Sequence, residues 1–182
     1  LFLSGHLIFI NWYTWIYALS INKLVEASFG YYIFPIFSVF FGYIFLGEKL
    51  NYKKKISIFI IFISIFYMIY FLDNFPWIGL VVAFSFSAYA VIRKVVLVET
   101  DIGLLIESIF LIPIIIYILY KLNIDEEIVF ALSNLNISMI LVLAGPMTVI
   151  PLFLFVKGSE LSGLGPASMI FFVAPTGQFL LG

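Results

Sequence analysis

Apolar residues run along this chain in long continuous stretches separated by short polar breaks, without the alternation of a membrane-barrel strand. A helix needs about 20 such residues to cross the hydrocarbon core of a bilayer, with roughly 17 to 25 tolerated. By that measure the pattern predicts about seven spans: Leu1 to Ala18, Glu26 to Leu46, Ile56 to Leu72, Pro76 to Ile92, Ile102 to Tyr120, Ile137 to Val156, and Leu164 to Gly182. The breaks carry suitable chemistry. Gly47-Glu48-Lys49-Leu50-Asn51 is a polar stop, Asp73-Asn74 is a turn with Pro76 placed for the first turn of the next helix, and Arg93-Lys94 closes the fourth span. The connection from Lys121 to Asn136 is the long one. Asp125, Glu126 and Glu127 suit a helix N-terminus and Ile124, Ile128 and Leu132 form one stripe, so it reads as a short interfacial helix or as an ordinary surface loop.

Composition strengthens the membrane reading. Of 182 residues, 64% are hydrophobic and 10% charged, against a usual charged content of about a quarter. That charge cannot coat a globule of this size, so lipid is the expected solvent. The 22 Phe and 11 Tyr suit lipid-facing surfaces and interfacial belts. Cysteine is absent, which excludes disulfides and thiolate metal sites, and no basic run interleaved with aromatics points to nucleic acid. Both termini lie inside apolar runs, so the chain is expected to be a piece of a longer one. Charge placement orients the spans. If the Lys49, Lys53, Lys54 and Lys55 loop is cytoplasmic, alternation puts Arg93, Lys94 and Lys157 there as well and leaves Lys23 and Lys121 outside, seven against two.

The chain also resembles itself. The shift that lays Ala27-Ser28 on Ala167-Ser168 lays Pro35 on Pro175, Gly42 on Gly182 and Gly5 on Gly145. Ser28, Tyr31, Pro35, Ser38 and Gly42 share one helix face, and their counterparts Ser168, Phe171, Pro175, Gln178 and Gly182 trace the same face. In the preceding spans Ser4, Asn11 and Ala18 match Ala144, Pro151 and Gly158. An odd number of spans separates the copies, so they enter the membrane from opposite sides, the arrangement of inverted-repeat transporters.

Several of these residues together resemble a known family. Asn11-Trp12, the run Val25-Glu26-Ala27-Ser28-Phe29-Gly30-Tyr31-Tyr32, Pro35 and Leu46-Gly47-Glu48 are similar to the first repeat of RarD-type permeases, in the EamA branch of the drug/metabolite transporter superfamily. Phe84-Ser85-Phe86-Ser87-Ala88-Tyr89 with Arg93-Lys94, Leu105-Ile106-Glu107, Ala144-Gly145-Pro146 and Ala174-Pro175-Thr176 continue the likeness in order. The resemblance implies an all-α polytopic bundle of two inverted five-helix repeats. Residues 1–74 would end the first repeat with three spans, and residues 75–182 would form a truncated second repeat with four. It further implies a bacterial inner-membrane permease exporting a drug or metabolite.

Charges inside spans are costly, roughly 2.5 to 3.5 kcal/mol on insertion scales, so each is a candidate site. Glu107 heads the candidates, as a group binding a proton or other cation or as a hydrogen-bonded packing carboxylate. Glu26 is a pathway candidate or a helix-start cap. Asn11, Trp12 and Trp15 sit together at mid-span as a pocket lining or as core, and Ser28, Tyr31, Tyr32 and Gln178 complete the pathway candidates. Pro35 and Pro175 interrupt the backbone ladder at matching depths and are candidate hinges. Lys53, Lys54, Lys55, Arg93 and Lys94 read as topology anchors. His6 is the only histidine and no span carries an acidic pair, so no metal centre and no cofactor is expected. A membrane enzyme is therefore the weaker reading, and a scaffold subunit without transport remains open. The expected partners are the bilayer, a small molecule, and a proton or other cation.

Overall fold

A computed structural model describes residues 1–70, 75–124 and 135–173. Its regular elements are all helical: α1 (Phe2–Ser20), α2 (Leu24–Leu46), α3 (Tyr52–Tyr70), α4 (Trp77–Val95), α5 (Thr100–Ile124), α6 (Leu135–Ser162) and a short α7 (Leu164–Met169), which tightens into a 3-10 turn over Ile170–Phe172. Four of these stretches are long and apolar enough to cross a membrane: Leu24–Leu46, Trp77–Val95, Thr100–Asn123 and Leu135–Ser162. In the last two only 17% of the apolar window is buried, leaving side chains such as Ile116, Tyr117, Ile140 and Leu154 facing outward. An apolar surface of that extent is stable only against lipid or another protein.

Local chemistry sets the helix ends. Gly47, at φ +64, turns the chain out of α2, and the Glu48 N–H closes back on the Gly42 carbonyl at 3.0 Å. Helix α6 runs past the expected stop at Val156 because Lys157 and Glu160 pair at 3.1 Å within the same turn. It breaks at Gly163, whose φ of +92 suits glycine. The helical part of the seventh expected span is described as far as Val173. The rest of that span, and residues 125–134 of the expected interfacial helix, lie outside the described residues.

Helices α2 and α4 form the closest crossing, and glycine permits it. A Cβ on Gly30 would stand 2.6 Å from the Gly79 carbonyl oxygen, and one on Gly79 would stand 2.7 Å from that of Glu26. Helix α1 lies along α4 through the face that carries Ser4, Asn11 and Ala18, all buried. There the Asn11 amide donates to the Val82 carbonyl at 2.8 Å and to the Ser85 hydroxyl at 3.2 Å. Small and polar residues on such a face let backbones approach and satisfy polar groups between helices. The matching face of α6 is different, with Ala144 and Pro151 exposed. An aromatic knot closes the core. Phe34 of α2, Phe86 of α4, Phe155 of α6 and Phe171 of the final turn meet at ring-centroid distances of 4.7 to 5.8 Å.

Two carboxylates on α2 and its C-terminal exit fasten the ends of the bundle. At one end Glu26 accepts the Ile78 N–H at 3.1 Å, capping α4, while pairing with Lys23 at 3.2 Å. At the other end Glu48 accepts the N–H groups of Leu164 at 2.8 Å and Gly165 at 3.3 Å, and pairs with Lys94 at 2.8 Å. The exits of α2 and α4 and the start of α7 are thereby tied together. Partial burial opposes ionisation of Glu48, but the Lys94 ammonium and the two backbone donors outweigh it and hold its carboxyl below the ordinary 4.5. A lowered folded-state pKa contributes stability above the ordinary value and loses it as pH falls through the lowered one. Glu48→Ala should therefore cost about 1–2 kcal/mol at neutral pH. In thermal melts the gap from wild type should narrow steadily once the buffer is more acidic than the ordinary carboxylate range.

Candidate functional site

Three helices bring four polar side chains together at depth. Tyr89 and Arg93 are one turn apart on the same face of α4, and that face meets Glu107 of α5 and Ser4 of α1. The Ser4 hydroxyl donates to Glu107 Oε1 at 2.6 Å, and the Tyr89 hydroxyl donates to Oε2 at 3.3 Å. Arg93 Nε lies 3.7 Å from Oε1, with the Arg93 and Glu107 side chains 1% and 3% exposed. Seven residues beyond Thr100, Glu107 stands about 10 Å along α5 from its start. A polar chain connects this depth with the helix ends. Arg93 Nη2 donates to the Thr100 carbonyl at 3.2 Å, the Thr100 hydroxyl to Glu160 at 2.8 Å, and Glu160 pairs with Lys157.

Glycines shape the site. The Arg93 guanidinium occupies the space that a Cβ on Gly103 would fill, and the α5 backbone at Glu107 approaches Gly5 of α1, where a Cβ would lie 3.3 Å from the carbonyl oxygen. Among the described ion pairs, Arg93–Glu107 alone is buried on both sides. Replacing such a pair by apolar residues is often neutral or stabilising, so fold stability by itself gives little reason to keep one.

Glu107 also opens onto a cleft of about 470 Å³ between α1, α5 and α6. That is within the size range of small-molecule sites, roughly 300 to 1,000 Å³. Trp12, Leu104, Leu152 and Phe153 supply apolar walls, and Asp101 and Ser108 add polar groups at its side. A second cavity of about 480 Å³ between α6 and α7 is walled almost wholly by apolar groups, with Ser162 its one hydroxyl. It offers nothing to orient a polar ligand.

Of the residues singled out in the sequence, the structure gathers Glu107 and Trp12 at the cleft. Asn11 is buried nearby between α1 and α4. Trp15 packs on Ala18, Ala27 and Ile78 and stands edge-on to Tyr31 at 5.1 Å. Tyr31 and Tyr32 face the final turn, near Phe171 at 6.2 Å and Phe172 at 6.3 Å, and Ser28 is half-buried on the same helix. Glu26 is engaged in capping, away from Glu107. Pro35 is buried within α2, where it removes one ladder hydrogen bond. Lys53 and Lys54 lie in the first turn of α3 and Lys55 is exposed. Lys94 pairs with Glu48, whereas Arg93 is withdrawn from the surface altogether. Gln178 and Pro175 lie outside the described residues. Sequence reasoning did not assign Ser4, Tyr89, Thr100 and Gly103 to the site. The only signal was the one-turn spacing of Tyr89 and Arg93 ahead of an intramembrane acid. Among the described residues no three His, Asp or Glu side chains gather as metal ligands would.

A bundle of lipid-length helices, with a buried ion pair beside a ligand-sized cleft, defines the class of polytopic helical membrane proteins. Comparison with known proteins shows what the chain is similar to. Residues 1–70, spanning α1 to α3, match the EamA-like transporter family. Along its whole length the chain is 33% identical to the uncharacterized transporter YojE of Bacillus subtilis, covering 60% of that protein. It is 30% identical to protein RarD of Salmonella typhi, over 98% of this chain and 61% of that one. Pseudomonas aeruginosa has a chloramphenicol-sensitive protein RarD that is 25% identical over 98% of this chain and 59% of its own. No solved structure matches. These similarities point to the EamA-like transporters and, among them, to proteins named RarD. It spans about three-fifths of the length of the curated relatives it matches.

Proposed function

We propose that the whole protein is a permease, and not an enzyme, that exports a small drug or metabolite across the bacterial inner membrane. Transport is coupled to a proton or other cation by alternating access of two inverted repeats. The observation that carries this reading is Glu107. It is buried within a helix of membrane-crossing length, held by Ser4, Tyr89 and Arg93, and forms part of the wall of a cleft of ligand size. A carboxylate in that setting can exchange a cation between the two sides while the cleft holds substrate. The names of the relatives support transport, and the one named for chloramphenicol sensitivity supports a small organic cargo. The excess of Lys and Arg at the ends marked by Lys49, Lys94 and Lys157 supports a cytoplasmic location for those ends.

The test is flux. The whole protein in proteoliposomes should move at least one member of a panel of labelled drugs and small metabolites, at a rate that saturates with concentration. Flux indistinguishable from protein-free vesicles across the panel would favour a scaffold subunit.

A further inference from the structure

Helix α2 carries a carboxylate at or just past each end, and each one holds the start of another helix. Glu26 accepts the Ile78 N–H at 3.1 Å and so grips α4. Glu48 accepts the N–H groups of Leu164 at 2.8 Å and Gly165 at 3.3 Å and so grips α7. The 23 residues of α2 rise about 34 Å, so the two grips are separated by about the thickness of a hydrocarbon core, roughly 30 Å.

The Glu48 grip is built to let go. Its carboxylate sits among glycines: a Cβ on Gly42 would stand 3.1 Å from Oε2, and one on Gly163 would stand 3.3 Å from Oε1. Lys94 pairs with it at 2.8 Å, yet the Lys94 and Glu48 side chains are 22% and 23% exposed. Water can take over both charges when they part, so release strands no buried ion, whereas parting Arg93 from Glu107 would. The segment that Glu48 holds also has a joint. Gly163, at φ +92, separates α6 from α7, while Phe171 beyond α7 stays in the aromatic knot with Phe34 and Phe86. The start of α7 is therefore free to swing from α2 and α4 while its far end stays packed. Val39 of α2 is buried beneath that start, where a Cβ on Gly165 would come within 3.5 Å of it.

We infer that Glu48 is the latch of the cytoplasmic gate. With Lys94 it holds α7 shut against α2 and α4, and its release opens the protein on that side while Glu26 keeps the opposite side closed. A change that weakens one grip then shifts the population toward opening at its own end and away from opening at the other. The inference deepens the transport reading and rests on it.

The experiment uses the whole protein in nanodiscs, where both faces meet the reagent, and reads labelling rates with a charged maleimide. The protein carries one introduced cysteine at a time, Val39→Cys beneath the latch or Ala27→Cys at the Glu26 end, both buried positions. Glu48→Gln keeps an oxygen for the amide hydrogens and loses the charge that Lys94 meets. Lys94→Gln breaks the same pair and leaves the two amide contacts in place. Each should raise the rate at Val39→Cys about tenfold and lower the rate at Ala27→Cys. Opposite signs at the two ends separate a gate from a loosened fold, which would raise both rates. Either variant carries the test if the other fails to fold. Rates equal to wild type, a rise confined to Val39→Cys, or a rise at both positions would each overturn the inference. Unchanged labelling together with saturable flux removes the latch and leaves the transport reading standing. The expected labelling pattern without flux does the opposite.

Discussion

Arg93→Met should destabilise the protein by about 3–5 kcal/mol, because it strands Glu107 in a buried site without its cation. With the guanidinium gone, Glu107 keeps only the hydroxyls of Ser4 and Tyr89, and the Thr100 carbonyl loses its donor. The double variant Arg93→Met with Glu107→Gln should recover much of the loss, since neither partner then carries a buried charge. Thermal melts of detergent-solubilised whole protein read the difference. If the double variant is no more stable than Arg93→Met, the stranded charge is not the source of the loss and the pair is less coupled than its burial implies.

The second large effect is steric. Gly79→Ala should cost about 1–3 kcal/mol, as expected of overpacking, because its Cβ would meet the Glu26 carbonyl oxygen at 2.7 Å and the Gly30 nitrogen at 3.1 Å. Both neighbours are backbone, so relief requires α2 and α4 to part, and Gly79→Leu should be worse. Gly145→Ala in α6 is the contrast. A Cβ there meets nothing within 4 Å, so helix propensity decides and the change should be neutral or stabilising by about 0.5–1 kcal/mol. Melting temperatures of the two alanine variants should move in different directions, or one should fall while the other stays level. Equal losses would mean that the α2–α4 crossing is looser than its glycines indicate.

Much of the helical layout was legible, because helix length in lipid is fixed by apolar run length. The expected Leu1 to Ala18 is α1 at Phe2–Ser20, and the expected Glu26 to Leu46 is α2 at Leu24–Leu46. Boundaries slipped where polar residues continue a helix. Lys53 to Lys55 fall inside α3, and Lys157 and Gly158 fall inside α6, where Lys157 finds a partner in Glu160 one turn on. The stripe of Ser4, Asn11 and Ala18 on α1 could be read from spacing alone, and its residues are buried in the structure.

The site was only half legible. Glu107 stood out because an acid within an apolar run has few neutral explanations. Arg93 did not, because an arginine at the end of a span is ordinarily an anchor. Its burial depends on Gly103, whose missing Cβ makes room on another helix, and no local pattern announces that contact. Glu48 likewise looked like part of a polar stop, yet it caps a helix that begins more than a hundred residues later. Capping between distant elements leaves no trace in spacing. The repeat, too, offers a face on α6 equivalent to the buried face of α1, and in this chain Ala144 and Pro151 on it are exposed.

The most direct test of the central claim compares wild type with Glu107→Gln in proteoliposomes of the whole protein, using a substrate found by the flux panel and an imposed pH gradient. Wild type should accumulate substrate against its concentration gradient. Glu107→Gln should insert normally and still exchange substrate without a gradient, but lose gradient-driven accumulation. Full accumulation by Glu107→Gln would contradict the account and return Glu107 to the role of a packing carboxylate.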